Sequence, residues 1–164
     1  MFVKNVFFQS LIGVLILLSG CTQLTDILTF KDSHIPETEY WQVESVVDGG
    51  RLILKRSSYK RDLQLCGLID LTSEAKFYLE KQLKQSPQEL PTIFASKSKH
   101  GFWYGDIWVT FGNEQESITG LLLLNGLARL SGDYQNCPNS DVFNFAENSA
   151  KEQKIGIWNS LIDE

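Results

Sequence analysis

Short runs of alternating or β-branched residues recur about every ten residues between Tyr40 and Phe111, each closed by a turn signal, and few folds accommodate that rhythm. Residues 40–47 (YWQVESVV) alternate, Asp48-Gly49-Gly50 supplies a hairpin turn, and residues 51–55 (RLILK) return as a second strand. A third strand is expected at residues 61–68, after a turn around residues 57–59. Residues 92–96 and 102–111 continue the pattern, the latter placing Trp103, Ile107, Val109 and Phe111 on one face. An aromatic stripe of that kind is a core face.

The period changes at Thr72. Thr72 or Ser73 can cap a helix, Glu74 suits the positive end of its dipole, and Ala75, Tyr78, Leu79 and Leu83 share one side. A second, short helix is expected from a Ser117 cap through Leu124, with Gly126 at its C′ position. Residues 127–130 resume an extended run. Ser140 or Asp141 is placed to cap a third helix, with Phe145, Ala146 and Ala150 on its narrow apolar face and Gly156 ending it. Five short strands with about three helices predict an α+β domain with a mainly β core, a five-stranded barrel of the oligonucleotide/oligosaccharide-binding type, because closure removes exposed strand edges. That domain occupies residues 39–160.

Ahead of it lies a different kind of segment. Lys4 precedes an apolar stretch at residues 6–18, and Ser19-Gly20 provides small residues just before Cys21. The apolar stretch is shorter than the roughly 18–20 residues that span hydrocarbon, and Gln9 and Ser10 interrupt it. Residues 1–20 resemble a bacterial lipoprotein signal peptide. The resemblance implies that Cys21 is acylated and becomes the new N-terminus, held in the lipid bilayer. Residues 21–38, polar and containing Pro36, read as a tether. The domain is therefore expected in an extracytoplasmic space of the cell envelope. Thr22 after Cys21 points to the outer membrane in a cell that has one, by analogy with sorting rules.

Lys4 is the single charged residue of the signal, so its removal takes the net charge from −5 to −6. Nucleic-acid binders usually carry excess Lys and Arg, so this balance disfavours them. Cys66 and Cys137 remain, in a compartment where disulfides persist. They are either bridged or two isolated buried thiols; sequence does not place their Cα atoms.

Several ordered pieces of the domain share one further likeness. Val46-Val47-Asp48-Gly49, Leu65-x-Gly67, Glu74-Ala75, Tyr104-Gly105, Asn125-Gly126-Leu127-Ala128, and Ala146-Glu147 through Gly156-Ile157-Trp158 resemble the staphylococcal nuclease-like (thermonuclease) domain, in its order and near its spacings. The resemblance covers residues 40–158 and implies the same barrel. It also implies a phosphodiester-cleaving site made of one calcium ion, carboxylates, a glutamate and two arginines.

Position by position, that site is depleted. Asp48 matches the first metal carboxylate, but Gly50 stands where the second is expected. Gln64 replaces the first arginine and Asp106 the second, a charge reversal that would repel phosphate. The following acid falls on Ile69, or on Asp70 with one inserted residue, and the glutamate after it is missing. Arg61 lies an odd step from Gln64 and so on the other face of a strand. Removing a single transition-state donor of this kind commonly lowers the rate about 10²–10³-fold, and such residues act as a unit.

The leading expectation is a catalytically inactive, lipid-anchored binding or scaffold module, with a protein, peptide or glycan partner and no cofactor. The alternative is a weak calcium-dependent nuclease, which requires Asp48, Asp70, Glu74 and Arg51 to converge. Nucleic-acid binding without catalysis would use the basic residues Lys55, Arg56, Lys60 and Arg61. Tyr40, Trp41, Trp103, Tyr104 and Trp108 mark a partner site if exposed together, and core if buried. His34 and His100 have no companion at zinc-ligand spacing.

Overall fold

The alternation of residues 38–65 is realised as a three-stranded meander: β1 (Thr38–Val46), β2 (Arg51–Arg56) and β3 (Tyr59–Leu65), each antiparallel to the one before. A computed structural model describes residues 37–159. The signal segment, Cys21 and most of the tether lie outside the described residues.

β5 (Leu90–Lys97) pairs with β1, and β6 (Trp103–Phe111) pairs with β5. β6 then lies parallel to β3, matching Leu63 with Trp103, Gln64 with Tyr104 and Leu65 with Gly105. That parallel seam closes a five-stranded barrel, and β7 (Glu114–Ser117) adds one more strand on β6. Where β5 and β6 touch, a Cβ on Gly105 would stand 2.2 Å from the Ile93 carbonyl oxygen, so that pairing requires glycine there.

The third strand is shorter than expected. It ends at Leu65 because Gly67, at φ +79°, turns the chain, and Leu68–Ile69 becomes a separate strand, β4, paired with β8 (Arg129–Leu130). Three helices pack on the barrel: α1 (Ser73–Lys84), α2 (Ile118–Leu124) and α3 (Ser140–Glu152). Among the described residues no helix is long and apolar enough to cross a membrane.

Alternation places Leu52, Leu54, Leu63 and Leu65 inside the barrel with Ile107 and Val109, against Leu79 of α1 and Leu122 of α2. A second cluster joins Leu123, Phe143 and Ala146 to Cys66 and Cys137. These two cysteines are bridged, with Cα atoms 5.6 Å apart across a separation of 71 residues. Closing a loop of that length stabilises the fold by about 4 kcal/mol in the chain-entropy account.

Two expectations for α3 fail. Its N-cap is Asn139, in the left-handed region at φ 60°, and not Ser140 or Asp141. Phe145 is 72% exposed, because the buried side is Phe143, Ala146, Glu147 and Ala150, spaced i, i+3, i+4 and i+7. Phe145 lies two positions from Phe143, about 200° around the helix.

Candidate functional site

The β1–β2 turn uses Asp48 for its own closure. Asp48 Oδ1 accepts the Gly50 N–H at 2.8 Å, and the Val47 N–H donates to the Arg51 carbonyl at 2.9 Å. A Cβ on Gly50 would lie 3.1 Å from Gln64 Nε2 and 3.3 Å from Leu71, so a side chain there needs both to give by a few tenths of an ångström. The second metal-ligand position thus carries no side chain.

Arg51 stands directly across the β2–β3 ladder from Gln64. Its guanidinium is bidentate to Asp62, at 2.8 and 2.5 Å, and stacks 4.4 Å from the Phe102 ring centre. The hydrogen bond to Asp62 raises its pKa further. The cation nearest Gln64 along the ladder is therefore held by a carboxylate.

Asp70 is exposed, at φ 50°, with Arg129 3.8 Å away. Glu74 is exposed in the first turn of α1, where its own backbone N–H and the Ser73 side chain lower its carboxyl pKa. Among the described residues no three His, Cys, Asp or Glu side chains gather to hold a metal. Asp48, Asp70 and Glu74 do not form the oxygen cage that calcium requires, so the residues present do not fit that ion.

Asp106, read from the sequence as a charge reversal that would repel phosphate, is fully buried. α2 packs over β6, and the carboxylate serves the start of that helix. It accepts from Thr119 Oγ1 at 2.8 Å, the Thr119 N–H at 3.3 Å, the Ile107 N–H at 2.9 Å and Ser117 Oγ. Ser117 Oγ in turn accepts the Gly120 N–H at 2.9 Å as N-cap. Burial pushes the Asp106 pKa up to about 6, against these hydrogen bonds, which pull it down.

Gln64 and Tyr104, side by side on the seam, instead line a cleft of about 570 Å³. Its opposite wall is the segment from Ser131 through Asp133 and Asn136 to the bridged Cys137. Residues 59–160 match the family described as staphylococcal nuclease homologue. The chain belongs to that family. A comparison with curated proteins gives no significant match.

The family match begins at the start of β3, so Asp48 and Gly50 lie ahead of it, while Gln64, Asp70 and Asp106 lie within it. In this staphylococcal nuclease homologue the basic residues expected to face nucleic acid are largely engaged. Glu39 is paired with Arg56 and Arg61, both at 2.7 Å, and Glu44 with Lys60 at 2.7 Å. The Arg61 guanidinium lies 4.6, 4.4 and 4.4 Å from the ring centres of Trp41, Phe94 and Trp103, and Arg56 covers Trp41 from 4.5 Å. Burial alone would raise the Glu39 pKa; the hydrogen bond and charge of Arg61, with Arg56, hold it below the ordinary value.

The five aromatics singled out by sequence separate accordingly. Trp41 is core, Trp103 and Trp108 are half-buried, and Tyr40 and Tyr104 are exposed, with only Tyr104 of the five lining the cleft. Sequence reasoning missed Ser131, Asp133 and Asn136. The one signal that could have found them is the Cys66–Cys137 bridge, which carries residues 131–137 to the end of β3.

Proposed function

We propose that this family member is a catalytically silent, lipid-anchored binding module of a bacterial envelope. The observation that supports it most is Asp106. At the position where the resemblance puts a phosphate-binding arginine stands a carboxylate with no exposed surface, engaged as a helix cap. Gln64 in place of the other arginine, and Gly50 in place of a carboxylate, point the same way. With no guanidinium at either position and, among the described residues, no carboxylate cage, these positions offer nothing to neutralise a pentavalent phosphate.

Anchoring rests on the signal-like residues 1–20 and on Cys21, whose acylation would keep the barrel at a membrane surface. Labelling of the full chain with palmitate, lost in Cys21→Ser, checks that half. Incubating the full chain with single-stranded DNA and calcium checks the other, with no cleavage above background expected. The alternative, a weak calcium-dependent nuclease with Arg51 standing in beside Gln64, wins if cleavage appears and vanishes in Asp48→Ala.

A further inference from the structure

We propose that the cleft between the β3–β6 seam and residues 131–137 binds a neutral saccharide; this names the ligand of the silent module above and rests on that reading. Its volume of about 570 Å³ falls within the roughly 300–1,000 Å³ usual for small-ligand sites. No Lys, Arg or His lines it, and its one charge is the Asp133 carboxylate. A phosphate entering here finds no cation and meets a negative charge, which excludes anionic ligands before shape is considered.

What does line the cleft is the chemistry that recognises sugar hydroxyls. The side-chain amides of Gln64 and Asn136 each offer a donor pair and an acceptor, and neither is hydrogen-bonded within the described residues. Tyr104, 38% exposed and lining the cleft, brings an aromatic ring of the kind that stacks on the C–H face of a pyranose, and a hydroxyl. Asp133, already accepting from Ser131 Oγ at 2.5 Å, keeps acceptor capacity for a sugar hydroxyl.

The backbone argues against a peptide in the same place. β3 is paired on both sides, and the Leu65 and Cys66 N–H groups donate to the Gly50 and Gly105 carbonyls at 2.7 and 2.8 Å, so no strand edge is open for addition. The two walls are pre-organised. Cys66 ends the seam, Cys137 ends the opposite wall, and their disulfide fixes the spacing between Gln64 and Asn136, which reduces the ordering cost of binding.

The test is calorimetric titration of the full chain, in a micelle whose detergent carries no sugar, with chitohexaose, maltohexaose and, separately, hexathymidylate with calcium. One or both neutral hexasaccharides should bind, with the same affinity at about 50 and about 500 mM salt, since no screened charge pair contributes. Tyr104→Ala and Asn136→Ala should each weaken binding at least about tenfold. Asn136→Ala, on the loop wall, provides the check should Tyr104→Ala disturb the seam. Absence of binding by both hexasaccharides at millimolar concentration overturns the saccharide assignment and leaves the silent module standing. Saccharide binding indifferent to both substitutions overturns the site. Cleavage of hexathymidylate overturns the module itself, and with it this proposal.

Discussion

The aromatic box around Arg61 and the cleft beside Gln64 share strands β3, β5 and β6, the box adding Trp41 and Glu39 of β1 and the cleft adding residues 131–137, yet they treat polar groups in opposite ways. In the box, one guanidinium satisfies three rings and the Glu39 carboxylate at once. In the cleft, two amides and a tyrosine line an open volume with no cation among them. Arg61 is an internal part of the fold, while Arg56 and Lys60, though exposed, are paired with Glu39 and Glu44. What lines the cleft is neutral apart from Asp133. That contrast is why net charge alone underestimates how poorly the cleft suits nucleic acid.

The disulfide tests the cleft side of the comparison most severely. Breaking it, by Cys66→Ser with Cys137→Ser, should lower stability by about 4 kcal/mol, because a 71-residue loop regains its freedom in the unfolded chain. Denaturant melts of the oxidised and double-serine chains measure it. A loss under about 1 kcal/mol would mean that the wall at residues 131–137 is held by its packing alone.

Arg61→Ala tests the box and should lower stability by about 2–3 kcal/mol, since the rings lose their cation and Glu39 loses a partner. Arg61→Lys should recover less than half of that, as an ammonium cannot stack flat on three rings. Equal stability of the two variants in thermal melts would reduce the box to ordinary packing.

The unequal legibility of the two regions has a physical cause. Strand alternation put Leu52, Leu54, Leu63 and Leu65 inward without reference to any neighbour, and substitution at Gly50 and Gln64 could be read one position at a time. Asp106 could not, because burial of a carboxylate depends on donors elsewhere, here Ser117 and Thr119 of the α2 cap. Glu147 is the same case: it is buried only because the Leu130 N–H and Lys151 Nζ meet it at 2.8 and 2.6 Å. Asn136 and Asp133 reach the cleft through a bridge whose pairing no local pattern encodes. Phe145 misled for a simpler reason, since a face of three small or aromatic residues does not define a helix side as firmly as the i, i+3, i+4, i+7 set does.

Asp106 also makes a pH prediction on the interior side of the contrast. Its folded pKa, about 6, lies above the unfolded value, so the folded chain binds the extra proton and this contribution to stability grows as pH falls. Between pH 7 and pH 5 the gain should be about 1 kcal/mol, reaching its full extent below the unfolded pKa near 4. Glu39 acts the other way, its stabilisation being lost only as pH falls through its lowered pKa, so the window above pH 5 isolates Asp106. Asp106→Asn should flatten the slope in that window, measured by urea melts at several pH values. An unchanged slope would assign the titration to another group.

The smallest expected effect is the most discriminating one for the cleft. Gln64→Ala should leave stability within about 0.5 kcal/mol of the parent, because the amide contributes no hydrogen bond to the described fold. Gln64→Arg, which introduces the residue type that the resemblance implies, should instead destabilise by roughly 0.2–1 kcal/mol, since it stands directly opposite Arg51 on β2. Asp62 offsets part of that repulsion but has both carboxylate oxygens on Arg51 already. If Gln64→Arg proves stabilising, Asp62 can serve two guanidiniums and the seam still tolerates the charge a phosphate site needs. If it destabilises while Gln64→Ala does not, then Arg51 and Asp62 have closed the route back, and Gln64 is free to serve the cleft alone.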